Sequence, residues 1–145
     1  MLVTRNWAAL MLGLCIATGA MADNDTARPQ VADRVVAYSG TQGVKVWTLR
    51  YAERSANQAL VQIEGVDHDW DKRIQQMTVE KTSKDTRYST QVDGKKYVAL
   101  IVQGNYGELY LPGEAQTASV GYDEGLSSQG NAQHFLTDYL EQSGK

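Results

Sequence analysis

The chain has 145 residues, with 14 Lys and Arg against 17 Asp and Glu, a net charge of −3 and 42% hydrophobic residues. That length holds one core rather than two, and the acidic balance gives no support to a nucleic-acid-binding role. One cysteine, Cys15, excludes a disulfide framework and a cysteine-ligated metal within the chain.

Arg5, the apolar run 8–17 and Ala20-Met21-Ala22 follow the order of a secretory signal peptide. Residues 1–22 are therefore expected to be cleaved off, leaving a soluble periplasmic or secreted product that begins at Asp23. The apolar run is too short for a permanent span. Leu14, not a small residue, precedes Cys15, which makes lipidation the lesser reading. Without Cys15 the product has no thiol, so packing and hydrogen bonds must hold it together, and a compact sheet fits better than a loop-rich scaffold.

Residues 23–33 are polar with one proline and predict a flexible leader, followed by a single β-domain over 34–145. A first short strand is expected at Arg34–Tyr38, ended by Ser39-Gly40-Thr41-Gln42-Gly43. Val44–Glu53 follows, with Lys45, Trp47, Leu49 and Tyr51 on one face and Val46 and Ala52 on the other. Ala59–Glu64 alternates with Ala59, Val61 and Ile63 on one face. Arg73–Lys81 is a weaker strand, interrupted by two glutamines.

Thr86–Pro112 reads as two hairpins in succession. Thr86, Tyr88, Thr90 and Val92 alternate with Arg87, Ser89 and Gln91. Asp93-Gly94 supplies the positive φ angles of a tight type I′ turn. Tyr97–Val102 is wholly apolar, which predicts a central strand buried on both faces. Gly104-Asn105 turns the chain into Gly107–Leu111, and Pro112-Gly113 ends the unit. Thr117–Tyr122 is a last strand, Asp123–Gly130 a flexible Gly- and Ser-rich loop. Ala132, Phe135, Leu136, Tyr139 and Leu140 recur at the spacing of one helical face, which predicts a C-terminal helix over about 131–142, capped by Asn131 or Ser128. Seven or eight short strands at regular spacing imply a mainly β fold, a small antiparallel barrel or sandwich with one C-terminal helix.

The sharpest polar cluster is Asp67-His68-Asp69-Trp70-Asp71. Carboxylates at alternate positions begin a calcium loop, but Lys72 stands where the required glycine belongs and Thr78 where the closing glutamate belongs. The alternative is a solvated turn whose aspartates cap backbone N–H groups while Trp70 plugs the core. His68 beside two carboxylates has the parts of a general base, yet a domain this small with a filled core offers little room for a substrate cleft. His134 falls at the edge of the C-terminal helix. Ser127 and Ser128 miss the G-x-S-x-G spacing of a nucleophile elbow. No catalytic residue, metal ligand or cofactor follows from these patterns.

Two surface features suggest a binding role instead. Lys72–Lys96 holds seven basic residues against Glu80, Asp85 and Asp93, and a local basic face on an acidic protein suits an anionic partner surface; solvated strand faces that discourage edge pairing account for it as well. Eight tyrosines against one phenylalanine place rigid bodies with polar tips at a boundary. Tyr88, Tyr97, Tyr106 and Tyr110 suit a recognition surface if exposed, or line a barrel with one hydroxyl in water.

The residue order at the double hairpin resembles the MliC/PliC group, the periplasmic C-type lysozyme inhibitors, small β-barrels carrying a Ser-Gly-x-(Lys/Arg)-Tyr motif. In one register Asp93-Gly94-Lys95-Lys96-Tyr97 matches the glycine, the basic residue and the tyrosine, with Asp93 where the family has serine. In the other, Arg87-Tyr88 supplies the basic-Tyr pair, Lys84-Asp85 replaces Ser-Gly, and Asp93-Gly94, Tyr97-Val98 and Gly104 follow in the family's order. The family's usual disulfide is absent and the C-terminal helix is extra. The resemblance implies an exported, non-enzymatic binding protein that blocks a lysozyme-like cell-wall hydrolase or a toxin. Its protein partner would meet Arg87, Tyr88, Asp93, Gly94, Lys95, Lys96, Tyr97 and Tyr106. A periplasmic immunity protein against a secreted effector is the competing assignment, and a small enzyme or metal-binding protein using Asp67–Asp71 a more distant one.

Overall fold

The computed structural model describes residues 28–143; the expected signal peptide and the start of the leader lie outside that range. Among the described residues, eight strands run in chain order: β1 Val36–Gly40, β2 Lys45–Tyr51, β3 Gln58–Glu64, β4 Ile74–Lys81, β5 Thr86–Val92, β6 Lys95–Gln103, β7 Tyr106–Leu109 and β8 Ala118–Tyr122. Each pairs antiparallel with the next, and β8 returns to β1 through Tyr38↔Tyr122, Ser39↔Gly121 and Gly40↔Val120. The sheet is thus a closed up-and-down barrel, which leaves no open edge. Among the described residues, no helix is long and apolar enough to cross a membrane.

Period-2 alternation decides which side chains go inside. Val46, Val61, Ile63, Met77, Leu100, Leu109 and Val120 fill the lumen. The opposite phase of β2, β3 and β4 is also apolar, through Leu49, Leu60 and Ile74. That outer stripe is covered by α2, Ala132–Gln142, which lays Phe135 and Leu136 on it. Each such side chain contributes about 1.5–3 kcal/mol when fully buried. Asn131 Oδ1 accepts from the His134 N–H and caps the helix, while Gln142 pairs through both amide atoms with the backbone of Ile74.

Three expectations are corrected. Tyr97–Val102 is not a strand buried on both faces. The β5–β6 register passes from Tyr88↔Leu100 to Ser89↔Val98 and skips Ala99. This bulge puts Tyr97 and Ala99 into the same core cluster as Leu100 and Val102, leaving Val98 and Ile101 half-buried outside. Asp123–Gly130 is not a flexible loop: Glu124–Gln129 forms α1, capped by Asp123 Oδ1 accepting from Leu126 N–H. Buried Ser127 then accepts from the Ala37 N–H at 2.8 Å, which ties α1 to β1. Residues 28–33 are not a loose leader. Ala32 N–H donates to Arg50 O, Ala52 N–H to Gln30 O, and Arg28 donates to Gln133 O and Thr137 Oγ1 on α2.

Candidate functional site

The Asp93-Gly94 turn closes the β5–β6 hairpin with both residues at positive φ, +52° and +77°, as a type I′ turn requires. Such a turn matches the right-handed twist of its strands. Asp93, Gly94, Lys95 and Lys96 are exposed. Lys96 reaches across β5 to Glu80, with both side chains about half in solvent. Among the described residues Lys95 has no acidic partner, so it is the cation the tip presents. The root of the tip is fixed by Tyr97, which turns inward and meets Trp70 edge to face.

The remaining candidates do not join that tip. Tyr88 is a lumen residue, 9% exposed, and burial raises its phenol pKa against the opposing pull of Arg50, a Thr48 hydrogen bond and Arg54. Arg87 lies near the start of β5, about 20 Å along the strand from the turn at 3.3–3.4 Å per residue. Its guanidinium grips both oxygens of Asp85 at 3.1 and 3.3 Å. The Arg87 hydrogen bond, then one from Thr82, holds the Asp85 carboxyl below its usual range. Tyr106, 61% exposed, begins β7 at that same far end. Tyr110 is half-buried. The structure therefore gathers Asp93–Lys96 at one barrel end and leaves Arg87 and Tyr106 at the other.

Asp67–Asp71 closes the hairpin end. Asp71 Oδ1 accepts from the N–H groups of Gly65 and Val66. His68 hydrogen-bonds Pro112 O at 2.8 Å through Nε2 and receives the Trp70 N–H at Nδ1. This contact assigns the proton to Nε2, since Nδ1 is accepting. Trp70 is then 8% exposed and seated on the core. Among the described residues no three His, Cys, Asp or Glu side chains converge on a common point. The neighbouring cavity, about 260 Å³, takes in Asp67 but not His68 or Asp69.

At the end opposite the hairpin the barrel stays open. A cavity of about 480 Å³ runs down to Tyr38, Thr48 and Tyr88, with Arg50 in its wall and Arg34, Arg54 and Lys81 at its rim. Of these residues the sequence singled out Tyr88 alone, as a partner contact and not as part of a cavity. The signal was available, because Thr48 and Arg50 continue the inward phase set by Val46, and a cation on the inward phase of a barrel strand belongs at a mouth.

No protein-family model matches the chain, and neither a curated protein nor a solved structure is significantly similar to it.

Proposed function

We propose that this protein is an exported, non-enzymatic binding protein that blocks a lysozyme-like cell-wall hydrolase by inserting the Asp93–Lys96 tip into its carboxylate-lined cleft. The observation that carries this reading is the tight, lysine-bearing turn, exposed at the tip and anchored at its root. An ammonium meeting a carboxylate in a water-poor cleft makes a charge-assisted bond, of about 1.5–3 kcal/mol. Asp93 sits beside it and is tolerated where the facing acid of the hydrolase carries its proton, as a glycosidase general acid does.

The test is lysis of bacterial cell-wall suspensions by a panel of C-type lysozymes with the purified protein added. Stoichiometric inhibition of at least one enzyme is expected. Undiminished lysis by every enzyme at tenfold excess of the protein contradicts the reading.

A further inference from the structure

The open mouth has a chemistry of its own, separate from the hairpin. Arg50 uses one of its donors, Nη2, on Arg54 O at 2.9 Å. Its Nε is shielded from solvent with no hydrogen-bond partner, and among the described residues no carboxylate reaches its guanidinium. A half-buried guanidinium left this way is poorly satisfied. Arg34, Arg54 and Lys81 add three cations to the same cavity, and Asp33 is the one acid in its lining. The excess of positive charge over a low-dielectric floor draws in anions. Below the charges the lining is carried by Val36 and the rings of Tyr38 and Tyr88, beside Thr86 and Thr48, whose hydroxyl already donates to Val36 O.

We propose that this mouth binds a small amphipathic carboxylate, its apolar body against Val36, Tyr38 and Tyr88 and its carboxylate held by Arg50 and Arg54. A planar guanidinium fork suits a carboxylate's two oxygens. A hydrated phosphate dianion gains nothing from the apolar floor and loses water there. The volume falls within the range of small-molecule pockets, and an eight-stranded barrel is wide enough to admit one such ligand at its end.

Isothermal titration with octanoate, 1-octanol and inorganic phosphate tests this on the purified protein. One octanoate per chain is expected, binding at least tenfold more tightly than either 1-octanol or phosphate. Amide shifts in NMR spectra should centre on Val36, Thr48 and Tyr88. Arg50→Gln should weaken octanoate at least tenfold, and exposed Arg54→Gln should weaken it too, which keeps the test decisive should the Arg50 variant melt early. Lys95→Glu should bind octanoate as the wild type does. Equal affinity for octanoate and 1-octanol, unaltered binding by the Arg54 variant, or shifts confined to Asp93–Lys96 would each overturn the proposal.

Discussion

Trp70 meets Tyr97 edge to face, with ring centroids 5.9 Å apart and planes at 87°, so the loop that closes one end of the barrel also seats the root of the hairpin. His68 extends the stack, standing 5.7 Å from Trp70. Edge-to-face pairs contribute about 0.5–1.5 kcal/mol beyond the area they bury. Trp70→Ala removes both contacts and opens a void beneath the tip. Urea unfolding should show a loss of about 3–5 kcal/mol, the usual range for Trp to Ala in a core. A loss below about 0.5 kcal/mol, the size of a surface change, would mean that Trp70 is not the plug.

Ser127 joins α1 to β1 through the Ala37 N–H at 2.8 Å while its own hydroxyl donates to Asp123 O at 2.8 Å. Ser127→Ala leaves a buried donor with no acceptor, which costs about 1–3 kcal/mol. Hydrogen exchange at Ala37 should quicken relative to the other amides of β1. Unchanged exchange there would show that α1 is not held by this bond.

Gly65 takes φ +81°, and a Cβ placed on it would lie 2.2 Å from Gly43 O. Both the backbone conformation and the space are closed to a side chain. Gly65→Ala should therefore lower the denaturation midpoint clearly, whereas Gly94→Ala, with nothing within 4 Å of the added carbon, meets only the φ penalty and should cost less. Equal losses would contradict the close approach of the two turns.

Tyr38, 6% exposed, has its phenol pushed up to about 12, first by burial and then by Tyr88 and Tyr122. In the unfolded chain the same group titrates near its ordinary value of about 10. Below that pH both states keep the proton and stability is unaffected. Between about 10 and 12 the unfolded chain releases it first, so folding weakens as pH rises. Phenolate absorbance should show a late-titrating tyrosine, and the melting temperature should fall across the same interval. A single sharp titration of all tyrosines near pH 10 with the fold intact would contradict this.

Strand positions were legible because alternation and turn residues agree: Thr86–Val92 and the Asp93-Gly94 turn stand where the pattern places them. Closure into a barrel was not distinguishable from a sandwich, since both demand the same alternation along each strand. The bulge that skips Ala99 was hidden in Tyr97–Val102 because a uniformly apolar run carries no phase. α1 was read as a loop because Gly125, Ser127 and Ser128 are poor helix formers, and tertiary context outweighs them: Asp123 caps the helix and Ser127 finds Ala37. Of the two readings of the aspartate loop, the capped turn is seen in part: Asp71 caps the Gly65 and Val66 N–H groups and Trp70 is buried. The surface residues were the harder part. Composition marks Arg87 and Lys95 as equally basic, yet Asp85 holds Arg87 and strand length places the two at opposite ends.

The most direct measurement is the affinity of a C-type lysozyme for the wild-type protein and for the Lys95→Glu, Lys96→Glu double variant, taken by titration calorimetry alongside thermal unfolding of both. Insertion of the tip predicts a loss of at least a hundredfold, because the cation Lys95 presents and the one Lys96 shares with Glu80 both become anions. The melting temperature should fall only slightly, since both lysines are exposed and a solvent-exposed ion pair contributes less than about 1 kcal/mol. Equal affinity of the two proteins would remove the hairpin from the interface and contradict the account.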